Sequence, residues 1–311
     1  MEHQITDTIL MIRPVAFQCN TETALNNYFQ HASEDTDTHI QAKAVAEFDH
    51  MVEVLQTQGI NVLVIEDTVR PKTPDSIFPN NWVSFHQDGQ VMLYPMYAKN
   101  RREERREDIL DFLKKDFKIT QVDTLAPWEQ QGYCLEGTGS LILDRQNQLA
   151  YASLSERTTR RVIADFEERT GYRTIAFHAH QTVGKERLPI YHTNVMMAVG
   201  EAFAVVCLDT IDNQNERKMV VDELAKNNKE IIAISEAQMH QFAGNMLQVR
   251  NRAGNRFVAM SEAAFLSLSQ EQREKLGNHG ALLHSPIPTI EMLGGGSVRC
   301  MMAEVFLPRL D

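Results

Sequence analysis

Two hydrophobic rhythms take turns along this chain. TDTILMIRP (6–14) carries an unbroken apolar run bounded by polar residues, the pattern of a buried strand. HIQAKAVAEFDHMVEVLQTQGI (39–60) repeats apolar positions every three to four residues and predicts a helix closed by Gly59, after which NVLVIED (61–67) reads as a strand again. NWVSFHQDGQVMLYPM (81–96) predicts a hairpin turning at Asp88-Gly89, and RREERREDILDFLKKDF (101–117) a helix. The same alternation recurs in GSLILDRQNQLAYASL with SERTTRRVIADFEERT, in AFAVVCLD with NERKMVVDELAKNN, and in RFVAMSEAAF with the residues that follow.

No proline-rich or low-complexity linker interrupts these rounds, so one α/β domain over 1–311 made of about five ββα-type units is expected. A doubly wound parallel sheet would also alternate strands and helices. The hairpin signals argue against it, because parallel neighbours need crossovers instead.

The formal charge of −11, from 42 acidic and 31 basic residues, speaks against nucleic acid and anionic membranes as partners. No apolar run reaches membrane-spanning length, and the first residues lack the basic and apolar regions of a signal peptide. Four scattered cysteines without C-x-x-C spacing fit a reducing, cytoplasmic setting and no zinc site.

Phosphate-loop, dinucleotide, zinc-protease and serine-elbow motifs are absent from the sequence. What stands out is LGGGSVRC, which places three glycines before Cys300. A free cysteine is usually an inert small hydrophobe, and Cys207 fits that description. Glycines beside Cys300 let the backbone approach a ligand closely, and a thiolate there could act as a nucleophile. His192 and Asn194, two apart in a strand-like segment, are expected on one face, and Glu136 lies between glycine-rich residues ahead of a strand. Cysteine, histidine and acid together supply a nucleophile, a proton carrier and an orienting carboxylate. RREERRED (101–108) reads first as a solvated helical turn.

FPNNW (78–82), CLEGTGS (134–140), ASLSERT (152–158), YHTN (191–194) and GGGSVRCM (294–301) occur in the order of the signature motifs of the amidinotransferase and arginine deiminase superfamily. With MIRPVAF and FAGNMLQV, the wording resembles its citrulline ureidase branch. The resemblance implies a pentein fold, an α/β-propeller of five ββαβ units, working without metal or cofactor. It implies Cys300 as nucleophile, His192 as general acid/base and Glu136 as the carboxylate that holds the substrate nitrogen and aids proton transfer. Arg101, with Arg102 as competitor, and Arg157 would bind a substrate carboxylate, a task that suits guanidinium forks.

Three positions depart from the arginine-binding pattern. Asn81 and Asn194 stand where the relatives carry aspartates, and Gly139 replaces a third acid. Burying a permanent guanidinium cation without paired carboxylates costs several kcal/mol. A neutral ureido group suits asparagine, which both donates and accepts. The expected activity is therefore hydrolysis of citrulline to ornithine, carbon dioxide and ammonia. The alternatives are arginine deimination or dihydrolysis, amidino transfer, and a non-catalytic pentein binding module. The expected partner is a small molecule, citrulline or arginine; the sequence is compatible with a homo-oligomer. It assigns no role to Asn20, Asn80 or Asn245.

Overall fold

The computed structural model describes residues 3–31, 33 and 35–310. Its described strands form five three-stranded sheets and one separate hairpin, His180–Val183 with Glu186–Pro189. Each three-stranded sheet is built the same way: the first two strands pair antiparallel, and the third returns parallel to the second. Val83–Phe85, Gln90–Leu93 and Gln121–Thr124 make one such sheet. Ile142–Asp144, Leu149–Ser153 and Arg173–Phe177 make the next. Met197–Val199, Phe203–Val206 and Glu230–Ala233 follow, then Leu247–Arg250, Arg256–Ser261 and Ala281–Ser285.

The remaining sheet is split across the chain. Ala303–Glu304, near the C-terminus, pairs antiparallel with Thr8–Arg13, which pairs parallel with Asn61–Glu66. This unit is thus completed only when the two ends of the chain meet. The mixed pairing resolves the choice left by the sequence: the hairpins and the crossovers are both real, one of each per sheet.

Each parallel return needs a crossover, and helices supply them. Asp37–Thr57 buries Ile40, Ala44, Phe48, Met51, Val52 and Leu55, a stripe at helical spacing. Thr36 caps its first turn by accepting from the His39 N–H, and Gly59 follows its end at φ +78°. Arg160–Thr170 buries Val162, Ile163 and Phe166 and stops at Gly171 in the left-handed region.

Three elements differ from the sequence expectation. The helix expected over 101–117 begins only at Glu107; residues Asn100–Glu104 form a separate 3₁₀ turn that buries Arg101 and Glu104. The solvated-face reading of RREERRED therefore fails at those two residues and holds for Glu103, Glu107 and Asp108, which are exposed. The segment SERT is a loop ahead of the helix Arg160–Thr170, pinned by bridges from Thr158 to Leu135 and Ser155. His192 and Asn194 do not share a strand: Thr193–Val195 is a 3₁₀ turn and the strand starts at Met197.

These short turns place the site. The first strand of every three-stranded sheet follows a turn that carries one or more buried polar or sulfur-bearing residues. Asn81 precedes Val83, Gly139 precedes Ile142, Asn194 precedes Met197, Asn245 precedes Leu247 and Cys300 precedes Ala303, each by two or three positions. The turn Gly137–Ser140 packs against both Pro79–Asn81 and Thr193–Val195.

Candidate active site

The seven residues singled out from the sequence are all buried, none more than 3% exposed. Cys300, His192, Asn81, Arg101 and Arg157 line one tight cleft, with about 10 Å³ of free volume, together with Asp75, Tyr191 and Gly294–Gly296. Arg157 and Tyr191 also border a wider outer recess with Asn26, Tyr28 and Glu156.

The Cys300 sulfur accepts two amide hydrogen bonds, from Asn194 Nδ2 and from Asn245 Nδ2, both at 3.3 Å. Its backbone N–H bonds the Ser297 carbonyl, which fixes the turn. The glycines ahead of it are required by close packing. A Cβ at Gly294 or Gly296 would stand 2.7 or 2.9 Å from the Phe78 ring, and one at Gly295 would meet Asn27 at 2.5 Å. The Gly295 N–H is already bonded to the Glu291 carbonyl, and its own carbonyl accepts from the Tyr191 hydroxyl at 2.6 Å.

Glu136 ends its segment where the turn Gly137–Ser140 begins, and it points back toward His192. Its Oε2 lies 2.7 Å from His192 Nε2, and its Oε1 accepts the Tyr97 N–H at 2.8 Å. Arg157 Nη1 stands 3.6 Å away. Burial alone would raise this carboxyl, but Arg157 and the His192 hydrogen bond outweigh it and hold it down at about 2. Burial pushes the His192 imidazole down to about 4 against the pull of Glu136. With Glu136 ionised, Nε2 must carry the shared hydrogen, which leaves Nδ1 with the lone pair.

Gly139, where relatives of the resemblance carry an acid, sits against this pair. A Cβ there would be 2.4 Å from Asn81 Nδ2 and 2.8 Å from His192 Nδ1, so an aspartate has no room in this arrangement.

The two arginines are held differently. Arg101 closes its fork on Glu104, with Nε and Nη2 each at 2.9 Å, and gives Nη1 to Asn81 Oδ1 at 2.8 Å. Its Nη2 also reaches the Asp75 and Phe78 carbonyls. Arg157 bonds Asn26 Oδ1 through Nε at 2.9 Å and the Thr23 carbonyl through Nη2 at 2.9 Å, and it lies over the Tyr191 ring. The competitor Arg102 instead points to the Met96 carbonyl and is not in the cleft.

Asp75 escaped the sequence reading. It is 2% exposed, its Oδ2 accepts from Asn20 Nδ2 at 2.8 Å, and its Oδ1 has no partner. Burial raises its carboxyl despite the nearby Arg101. Asn20 thus steadies Asp75, and Asn80 steadies the neighbouring turn through Thr138. Asn245 reaches the sulfur itself. The repeated position ahead of each first strand was the available signal for Asn245; no comparable signal marked Asp75. Among the described residues, no group of three or more metal-ligating side chains is assembled, and no helix is long and apolar enough to cross a membrane.

The family model for N,N dimethylarginine dimethylhydrolase, eukaryotic, matches residues 13–307. No curated protein matches the chain. Among solved structures, the chain is similar to apo ArgZ, an arginine dihydrolase from the ornithine–ammonia cycle in cyanobacteria, with 16% identity and a TM-score of 0.75. That match covers 97% of this chain but 41% of ArgZ, so the chain spans about two fifths of that protein. The substrate-bound N-terminal domain of ArgZ is covered to 99%, by 97% of this chain, at 16% identity and a TM-score of 0.74. A dimethylarginine dimethylaminohydrolase adduct with S-methyl-L-thiocitrulline matches at 15% identity and a TM-score of 0.63, over 96% of this chain and 99% of that one. These likenesses establish a shared mixed α/β fold.

Proposed function

The chain belongs to the N,N dimethylarginine dimethylhydrolase family, within the pentein superfamily of hydrolases acting on carbon–nitrogen bonds outside peptides, and from that premise we propose that it hydrolyses the ureido group of citrulline. The observation that carries this reading is the character of the groups around the sulfur. Asn194 and Asn245, both neutral amides, touch Cys300, while Glu136 and Glu104 are committed to His192, Tyr97 and Arg101. The reacting end of the substrate therefore meets amides, which suits a neutral urea better than a guanidinium.

The far end suits a zwitterionic amino acid. Arg157, shared by the cleft and the outer recess, would take the α-carboxylate, and the unpartnered Asp75 oxygen the α-ammonium. Arg101, closed on Glu104, would brace Asn81 from behind. Asn194 Oδ1, buried without a partner, is available to a substrate N–H.

In the reaction, the Cys300 sulfur attacks the ureido carbon as His192 takes the thiol proton and delivers it to the departing ornithine nitrogen. Breaking that C–N bond leaves a carbamoyl group on sulfur. Water, deprotonated by His192, attacks the same carbon and releases the thiol and carbamic acid, which divides into carbon dioxide and ammonia. One citrulline and one water give ornithine, carbon dioxide and ammonia. Glu136 fixes the imidazole and stabilises it while it carries the proton. The five ββαβ units would then act as propeller blades of one catalytic domain over 1–311, each lending a turn to the cleft.

The second reading is arginine or a methylated arginine, favoured by the free Asp75 oxygen, which could face a cation, and by the arginine dihydrolase and the dimethylarginine dimethylaminohydrolase among the similar structures. Assaying ornithine and ammonia from purified protein given citrulline or arginine separates the two. Turnover of arginine with none of citrulline overturns the proposal.

A further inference from the structure

Asn245 lies on a turn for which the proposed reaction has no step. It is fully buried just after residues 241–244, and its side-chain amide bonds the nucleophile turn and the backbone of Asn194. Nδ2 donates to Cys300 Sγ at 3.3 Å and to the Asn194 carbonyl at 2.9 Å, while Oδ1 accepts the Arg299 N–H at 3.0 Å. The Arg299 bond settles the orientation of the amide: an N–H needs an acceptor, so the oxygen must face Arg299 and the NH₂ must face the sulfur. Gly244 beside it permits the approach, since a Cβ there would stand 2.4 Å from the Val195 carbonyl oxygen.

We infer that Asn245 is a positioning residue for the Cys300 nucleophile, gripping the sulfur on one side and the backbone of its neighbour Arg299 on the other. Asn194 makes the matching bond from the adjacent unit, so the sulfur rests between two donors that both strengthen when it is anionic. A hydrogen bond to a charged group is worth about 1.5–3 kcal/mol, roughly a tenfold or greater effect on reactivity. The inference rests on Cys300 being the nucleophile and not on the identity of the substrate.

The test uses Asn245→Ala and Asn245→Asp, with iodoacetamide as probe and peptide mapping to read Cys300 alone. Asn245→Asp keeps the shape and the acceptor for Arg299 but removes both donors and brings a negative charge to the sulfur. The expected order of alkylation rates at neutral pH is wild type, then Ala about tenfold slower, then Asp slower still. With substrate, kcat falls in the same order while KM changes little. A purely structural residue leaves alkylation of the folded protein at the wild-type rate, whatever stability each variant loses in urea unfolding. Wild-type alkylation in both folded variants, a loss of kcat without a loss of alkylation, or failure of both variants to fold overturns the inference. Alkylation needs no substrate, so failure of the citrulline reading leaves this result standing.

Discussion

His192 Nε2 and Glu136 Oε2 lie 2.7 Å apart, each at most 2% exposed, with the carboxylate held down by Arg157 and the imidazole held neutral by burial. This pairing fixes which ring nitrogen is left to move protons. Glu136→Gln keeps the shape and can still accept through its amide oxygen, but it withdraws the charge that steadies the imidazolium. Its kcat is expected to fall about 10²-fold, the scale of a misplaced catalytic group, with KM nearly unchanged. Steady-state kinetics with citrulline reads this directly.

The same pair sets the acid sensitivity. Both shifts run downward from ordinary values of 6.5 for His192 and 4.5 for Glu136. Between about 4 and 6.5 the unfolded chain binds a proton at residue 192 that the folded chain refuses, so stability rises with pH across that window. The contribution is complete above about 6.5 and lost as pH falls through about 4. Between pH 7 and pH 5, wild type is expected to lose roughly 2 kcal/mol more than His192→Gln in urea unfolding. The acid limb of kcat/KM is expected near pH 4, and a limb near 6.5 would contradict a buried neutral imidazole.

Gly139 is a space requirement. Gly139→Ala forces a methyl toward Asn81 Nδ2 and His192 Nδ1, and a destabilisation of about 1–3 kcal/mol is expected from overpacking. The cost in kcat should exceed the cost in stability, since both displaced atoms belong to the cleft. Thermal unfolding and kinetics on the one variant separate the two.

The two arginines should separate in the assay. Arg101→Met strands Glu104 without its partner and is expected to lower stability by about 3–5 kcal/mol. Arg157→Lys keeps a charge but loses the fork offered to a carboxylate, so the main expected change is a rise in KM. A large rise in KM for a still-folded Arg101→Lys would move the carboxylate contact to residue 101.

How far the sequence carried depends on how local each feature is. The helix Asp37–Thr57 and the hairpin at Asp88-Gly89 could be read because periodicity and turn chemistry act between near neighbours. Cys300, His192 and Glu136 could be named because short motifs mark them. The turns that carry Asn81 and Asn194 are three residues long, too short for any period, so the apolar residues after His192 suggest a strand that begins only at Met197. Asp75, Asn245 and Glu104 gain their meaning from partners that only folding supplies, as in the contact from Asn245 to Cys300 across 55 positions. The unit that joins Thr8–Arg13 to Ala303–Glu304 leaves no local signal, because its strands lie at opposite ends of the chain.

The most direct measurement is mass analysis of the Cys300 peptide after acid quench of turnover with citrulline labelled at the ureido carbon. The account predicts a labelled carbamoyl group on Cys300, absent from Cys300→Ala, which forms no ornithine. Ornithine accumulating from citrulline with Cys300→Ala as active as wild type would contradict it. So would label appearing on Cys300 from guanidino-labelled arginine and never from citrulline.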